Sequence, residues 1–380
     1  MARLAILFAD SWGLLGNANA ARGLQRRLRI IAPDVPVDLI AGEEVWPQFA
    51  NWGRRIALLS ALPDPDAVFG AYADLAAEVI ETVGLWPEER PLQTAAHALA
   101  LRLKRHDSQV IATKGLLARL ALAARVGKVT NWITNPGLID LRFHVCPGAH
   151  LTCVPRREDA ARLTALGLAP ERLRVTGPTI ELPFSRPLYV ERQPNCVTSP
   201  LIVLYAPTAR PESMCALLRN LREIGDARVV LVTHANDRHD WEPAISDARN
   251  SSLELRICRG LSHAEFLSLL QQLRDAPDRV LISKSGPNSM FEVIELGLPL
   301  IVYRSGLPME EWVISYVADH GIGAVSSDWS ELAYSITMVI GNRAMQEKMI
   351  AAQAALRAIL FVDRFGPEAA LASAIQPEHP

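Results

Sequence analysis

Short apolar runs alternate with helix-length amphipathic segments along this chain, stop once, and start again. The first series is RLAILFA (3–9), VPVDLI (35–40), SQVIATK (108–114), KVTNWIT (128–134), HLTCVP (150–155) and LRVTGP (173–178). The second is LIVLYA (201–206), ARVVLVT (227–233), LELRI (253–257), RVLISK (279–284) and PLIVY (299–303). Runs that are apolar throughout belong to strands covered on both faces, as in parallel sheets. Helices between such strands make βαβ units. The interruption, TIELPFSRPLYVERQPNCVTSP (179–200), has four prolines and no apolar period, and reads as a linker. The expected fold class is α/β. Two Rossmann-like doubly wound domains, 1–183 and 201–360, are joined by a linker at 184–200, and 361–380 forms a separate C-terminal helical piece. Ligands of such sheets bind beyond the carboxyl ends of the strands, so the two sheets are expected to face a cleft.

The 380 residues suit two domains of about 150–200. A hydrophobic fraction of 49% supplies two cores, and a net charge of −2 gives no electrostatic footprint for nucleic acid. The five cysteines (Cys146, Cys153, Cys196, Cys215, Cys258) are scattered, without a Cys-x-x-Cys pair or a histidine at metal spacing. They read as free thiols in a reducing compartment, and no metal site is expected. The opening MARLAILFADSWG holds a six-residue apolar run, too short for a signal peptide. No stretch reaches the ~18–20 apolar residues of a membrane span. A cytoplasmic protein is expected, at most peripheral to a membrane. Residues 43–100 set Trp46, Phe49, Trp52 and Trp86 beside Arg54 and Arg55, which suits either helix core with surface charge or contact of the N-terminal domain with a membrane surface.

KSGPNSMFEVIELGLP (284–299) carries the chemistry. A buried strand ends, Gly286 and Pro287 turn the chain, and an amphipathic helix runs to Gly297. Free N–H groups and about half a positive charge at the helix start stabilise a phosphate. Gly286 permits close backbone approach, and Asn288 and Ser289 can cap the helix or donate to phosphate. Glu292, one turn in, would be repelled by phosphate but can accept both hydrogen bonds of a ribose diol. The same residues also fit a plain cap followed by ordinary first-turn charge.

SGPNSMFEVIELGLPLIVY resembles the nucleotide-binding segment of inverting GT-B glycosyltransferases, in the family of the monogalactosyldiacylglycerol synthases and the undecaprenyl-linked N-acetylglucosaminyltransferase of peptidoglycan synthesis. Ser289, Glu292, Gly297 and Pro299 fit its pattern. The resemblance implies that Glu292 holds the ribose of UDP, and that the Leu261 backbone reads the uracil edge in a loop shaped by Arg259 and Gly260. In LPMEEWVISYVADHGIGAV (307–325) it implies that Glu310 and Glu311 face the donor sugar. Upstream, QVIATKGLLARLALAAR, VTNWIT and CPGAHLTCVPRREDAARLTALGLAPERLRVTGPTI follow the order of the synthase N-terminal domain. A GT-B fold also implies a C-terminal helix returning to the first domain.

Three places depart from the family. Asn17 stands where the family's first loop ends in a histidine, and Asn131 where it has an aspartate; an amide accepts no proton at pH 7. LYAPTAR replaces a glycine-rich diphosphate turn, leaving Thr208 and Arg210 as phosphate ligands. The catalytic positions to test are thus Asp10, Asn17 and Asn131, with Asp10, at the end of the first strand, the candidate base. His144 and His150 are next in line, while His234 and His263 are placed by other roles. The expected function is transfer of a sugar from a UDP-sugar, a substrate rather than a cofactor, to an unidentified hydroxyl acceptor. The alternative is a catalytically weak relative that binds nucleotide sugar or partners an active transferase. A nucleotide-sugar epimerase is a third reading.

Overall fold

The computed structural model describes residues 3–10, 16–59, 65–83, 90–103, 108–137, 141–180, 199–206, 209–276, 278–327, 329–360 and 366–375. Thr208, Trp86, Cys196 and linker residues 184–198 lie outside them. The chain divides into two compact units. One comprises Met1–Leu182, Gly306–Met309 and Leu360–Pro380; the other comprises Pro183–Ser305 and Glu310–Ile359.

The first unit opens with β1 (Arg3–Phe8), α1 (Gly16–Ile31) and β2 (Val37–Ala41). Among the described residues four helices follow: α2 (Gly42–Val45), α3 (Pro47–Leu59), α4 (Pro65–Val83) and α5 (Arg90–Leu103). The alternation then resumes with β3 (Ser108–Ala112), α6 (Gly115–Ala123), β4 (Lys128–Trp132), α7 (Leu141–His144), β5 (Leu151–Val154), α8 (Arg157–Ala165) and β6 (Leu173–Val175). All pairings are parallel, in the order β2-β1-β3-β4-β5-β6. The period-2 rule explains the unbroken apolar runs. On β1, Leu4 and Ile6 pack with Leu24 and Leu28 of α1, whereas Ala5 and Leu7 enter the core on the opposite face. Each large side chain so buried contributes about 1.5–3 kcal/mol.

The four helices between β2 and β3 settle the aromatic segment. Trp46, Phe49 and Trp52 are at most 2% exposed. Trp46 stacks on Phe49 at 5.6 Å and meets Trp52 edge-on at 5.5 Å. Arg55 is half exposed and pairs with Glu78 of α4. These three aromatics are core, so they offer no apolar face to a membrane. No described helix is long and apolar enough to cross one.

The second unit runs β7 (Leu201–Tyr205), α9 (Pro211–Asn220), β8 (Ala227–Thr233), α10 (Glu242–Asn250), β9 (Leu253–Arg259), α11 (His263–Asp275), β10 (Arg279–Lys284), α12 (Pro287–Leu296), β11 (Leu300–Tyr303), α13 (Glu311–His320), β12 (Ala324–Ser326), α14 (Trp329–Val339) and α15 (Arg343–Leu360). Its sheet is also parallel, in the order β12-β11-β10-β7-β8-β9. α15 fastens the ends of two helices. Gln353 Nε2 donates to the Leu298 and Ile322 carbonyls, each at 2.7 Å, and Arg357 forms a two-point pair with Glu295 of α12 at 2.9 and 3.0 Å.

The final helix, α16 (Gly366–Ile375), packs on α1 and against β3, β4 and β6. Lys128 Nζ donates to the Ser373 carbonyl at 2.6 Å. The C-terminal helix therefore belongs to the first unit, as the fold class required.

Candidate functional site

Each sheet reverses its strand order once. In the second unit β7 leads outward to β8 and β9, while β10 leads the other way to β11 and β12, so the reversal lies between neighbours β7 and β10. A doubly wound sheet opens its ligand crevice at such a point, because the helices that follow the two strands leave on opposite faces. Here those helices are α9 and α12.

Both begin with proline at the first helical position, which presets φ and sacrifices an N–H that has no helical partner. Arg210, exposed, is the N-cap of α9. Gly286 is the N-cap of α12, with no side-chain cap bond. Asn288 and Ser289, expected as alternative caps, instead lie inside the first turn: Pro287 starts the helix two or three residues earlier than they would. Gly297 ends it in the left-handed conformation at φ 68°. Gly286 itself has φ −80°, and a Cβ there would approach nothing closer than Lys284 Cε, at 3.8 Å. The fold alone does not demand a glycine at 286.

Glu292, one turn into α12, is 7% exposed. Burial pushes the Tyr205 phenol up to about 12, and the charges of Glu292 and Glu310 add to it. Burial likewise raises Tyr303, again with Glu310 contributing. Both phenols stay protonated and able to donate. The end of β7, the first turns of α12 and the start of α13 thus form one electrostatic neighbourhood.

Glu310 and Glu311 part company. Glu310 accepts from Lys284 Nζ at 2.9 and 3.1 Å and from Ser305 Oγ at 2.9 Å. Glu311 faces Arg304, whose Nε lies 3.2 and 3.1 Å from its two oxygens. Lys284, which the sequence pattern did not single out, is the missed residue here. Its position as the last residue of β10 is the only sequence signal that could have drawn attention to it.

Beyond β9, Gly260 is required: φ is 60° and a Cβ would come within 2.4 Å of Ala235 Cβ. Leu261 follows, beside a cavity of about 190 Å³ lined by Arg256 and Cys258 of β9 and by Glu265 and Leu269 of α11. His263 opens α11, which Ser262 and Glu265 cap reciprocally. Arg259 Nη2 donates to the His239 carbonyl at 3.1 Å.

The loop after β8 is organised by Asp237, whose side chain is 4% exposed. Its carboxylate accepts from the His239 N–H at 3.0 Å and from Trp241 Nε1 at 2.7 Å. Burial alone would raise this group, but the hydrogen bonds outweigh it and bring the carboxyl down to about 2. A depressed carboxyl stabilises the fold above its unfolded pKa, and that stability is lost as pH falls towards the folded value. Asp237→Asn is expected to cost on the order of 1 kcal/mol at pH 7 and to flatten the fall in stability between about pH 4 and 2. Denaturant unfolding of both proteins at pH 7 and pH 3 measures this; equal differences at the two pH values would assign the loss to shape rather than charge.

In the first unit the reversal lies between β1 and β3. Asp10 follows β1 and is exposed, and its backbone N–H donates to Glu43 Oε2 at 3.1 Å. Glu43, from α2, is a second carboxylate at this strand end that sequence reasoning did not select. Asn17, in the first turn of α1, accepts from Thr134 Oγ1 at 3.1 Å. Asn131 lies fully buried within β4, where Nδ2 donates to the His144 carbonyl at 2.9 Å and ties α7 to the sheet. His144 is 3% exposed, whereas His150 is exposed. Among the described residues no group of three or more His, Cys, Asp or Glu side chains could hold a metal ion.

No protein-family model and no curated sequence matches the chain. Solved structures do. The glycosyltransferase SnogD from Streptomyces nogalater superposes with a TM-score of 0.59 at 14% identity, over 99% of both chains. Arabidopsis thaliana UGT89C1, solved with UDP, gives 0.57 at 11% identity over 99% of this chain and 100% of that one. Anabaena HepE, solved with UDP and glucose, gives 0.51 at 14% over 99% and 100%. The chain has the GT-B two-domain α/β fold of these neighbours.

Proposed function

We propose that the protein is a UDP-sugar-dependent glycosyltransferase that transfers a sugar to a hydroxyl acceptor with inversion. The observation that carries this reading is the switch point between β7 and β10. Two helix N-termini open there, a buried Glu292 stands one turn inside the second, and Gly286 offers backbone that the fold does not need bare. Neighbours of the same fold solved with UDP, or with UDP and glucose, support a uridine diphosphate donor.

In this reading Glu292 accepts the ribose hydroxyls and the Leu261 backbone meets the uracil edge. Arg210, Thr208, Asn288, Ser289 and the first turn of α12 hold the diphosphate, with Glu310 and Glu311 assigned to the sugar. The acceptor oxygen forms a bond to the anomeric carbon as the bond from that carbon to the diphosphate breaks. UDP departs with the electron pair, stabilised by the helix N-terminus and Arg210. Asp10 takes the acceptor proton. The likeness of 285–303 to the lipid-galactosylating synthases makes a lipid or small natural-product hydroxyl the acceptor class to screen first.

Calorimetric titration with UDP tests the donor site, and Gly286→Ala sharpens it. A methyl at 286 should leave melting unchanged yet weaken UDP binding by about 1 kcal/mol, roughly fivefold, because it crowds the ligand and not the protein. Absence of UDP binding by the parent would remove the proposal. A second reading, a nucleotide-sugar-binding relative of weak or no activity, is favoured by the amides Asn17 and Asn131. It takes over if the parent binds UDP but turns over no donor.

A further inference from the structure

At the carboxyl ends of β10 and β11 a small polar network joins three stretches of chain. Lys284 Nζ donates to both oxygens of Glu310, at 2.9 and 3.1 Å. Ser305 Oγ donates to Glu310 Oε2 at 2.9 Å and lies 3.0 Å from Ser285 Oγ. The Lys284 and Glu310 side chains are only 12% and 8% exposed. Exchanging a buried ion pair for apolar residues is often neutral or stabilising, so folding alone is a weak reason to keep one. The bonding inventory suggests another reason. An ammonium has three N–H donors, and two are used on Glu310. A carboxylate oxygen accepts twice, and among the described residues Oε1 receives one bond, from Lys284. The pair therefore presents a fixed acceptor whose orientation is set by its cation. Lys284 pairs with Tyr303 in the sheet, and the charge of Glu310 acts on the phenols of both Tyr205 and Tyr303. Such an acceptor, held against rotation, suits a hydroxyl-rich ligand.

We infer that Lys284 is a specificity-determining positioning residue: it holds the Glu310 carboxylate for the hydroxyls of the donor sugar and acts on the sugar through Glu310. This rests on the nucleotide-sugar reading above. Arg304 does not duplicate the role, because it faces Glu311.

The test is calorimetry on the full chain with four probes: UDP, UDP-glucose, UDP-galactose and UDP-N-acetylglucosamine. Lys284→Met and Glu310→Gln should each weaken the tightest UDP-sugar about tenfold, while UDP stays within about twofold. The double variant should be no weaker than Glu310→Gln alone, since the cation has nothing left to orient. Lys284→Arg should recover part of the loss. Should Lys284→Met strand a buried carboxylate and fail to fold, the double variant and Lys284→Arg carry the comparison. Equal losses for UDP and UDP-sugar, additive losses in the double variant, or no change in Lys284→Met would each overturn the inference. A parent that binds no UDP fails earlier, at the nucleotide site itself, and that result is distinguishable from all three.

Discussion

Asp10→Asn should lower transferase turnover by about 10²–10⁴-fold while leaving UDP affinity unchanged. An alcohol acceptor is too weak an acid to ionise at neutral pH, so its proton must move as the new bond forms. Asn17 and Asn131 cannot take it, and Asn131 is fully buried in β4. Asp10 is an exposed carboxylate just past the end of β1, at the point where the first sheet reverses. The residues proposed to hold the nucleotide all belong to the other unit, hence the expected separation of turnover from UDP binding. Steady-state rates with a saturating donor, alongside a UDP titration, measure both. Full activity in Asp10→Asn would move the base to Glu43, whose carboxylate already accepts from the Asp10 N–H. Asn17→His is the converse experiment, placing an imidazole in the first turn of α1, where it should raise turnover if an acceptor hydroxyl reaches that turn.

Glu292→Gln should weaken UDP binding by ~1.5–3 kcal/mol, roughly ten- to a hundredfold, the usual worth of hydrogen bonds to a charged group. The amide preserves shape and one acceptor, but it is neutral and turns the other oxygen into a donor, so the two charge-assisted bonds from the ribose diol are not both kept. Melting without ligand should change little. Calorimetry decides the matter: a variant that binds UDP like the parent would show that the nucleotide lies elsewhere. The two experiments are independent, since Asp10→Asn reads chemistry and Glu292→Gln reads binding.

The sequence by itself determined the two parallel sheets. Strands covered on both faces must be apolar throughout, and runs such as RLAILF and RVLISK have no other comfortable place in an α/β chain. It also marked the helix end at Gly297 and the strand-to-helix turn at 284–289, because caps and turns depend on a few adjacent residues. The segment 43–100 was not legible. Its four helices form by interlocking Trp46, Phe49 and Trp52 with the rest of the core, and amphipathic periodicity does not say which face meets which helix. The three-residue edge strand β12 was too short to carry a period. The start of α12 is also local, since Pro287 at the first helical position displaced the expected caps. Tertiary structure alone parted Glu310 from Glu311, and it alone buried Asn131 beneath α7. Lys284 and Glu310 are 26 residues apart in the chain yet form a hydrogen-bonded ion pair. Local pattern fixes period and punctuation; the partner of a charged side chain depends on where distant strand ends come together, which only the packed sheet specifies.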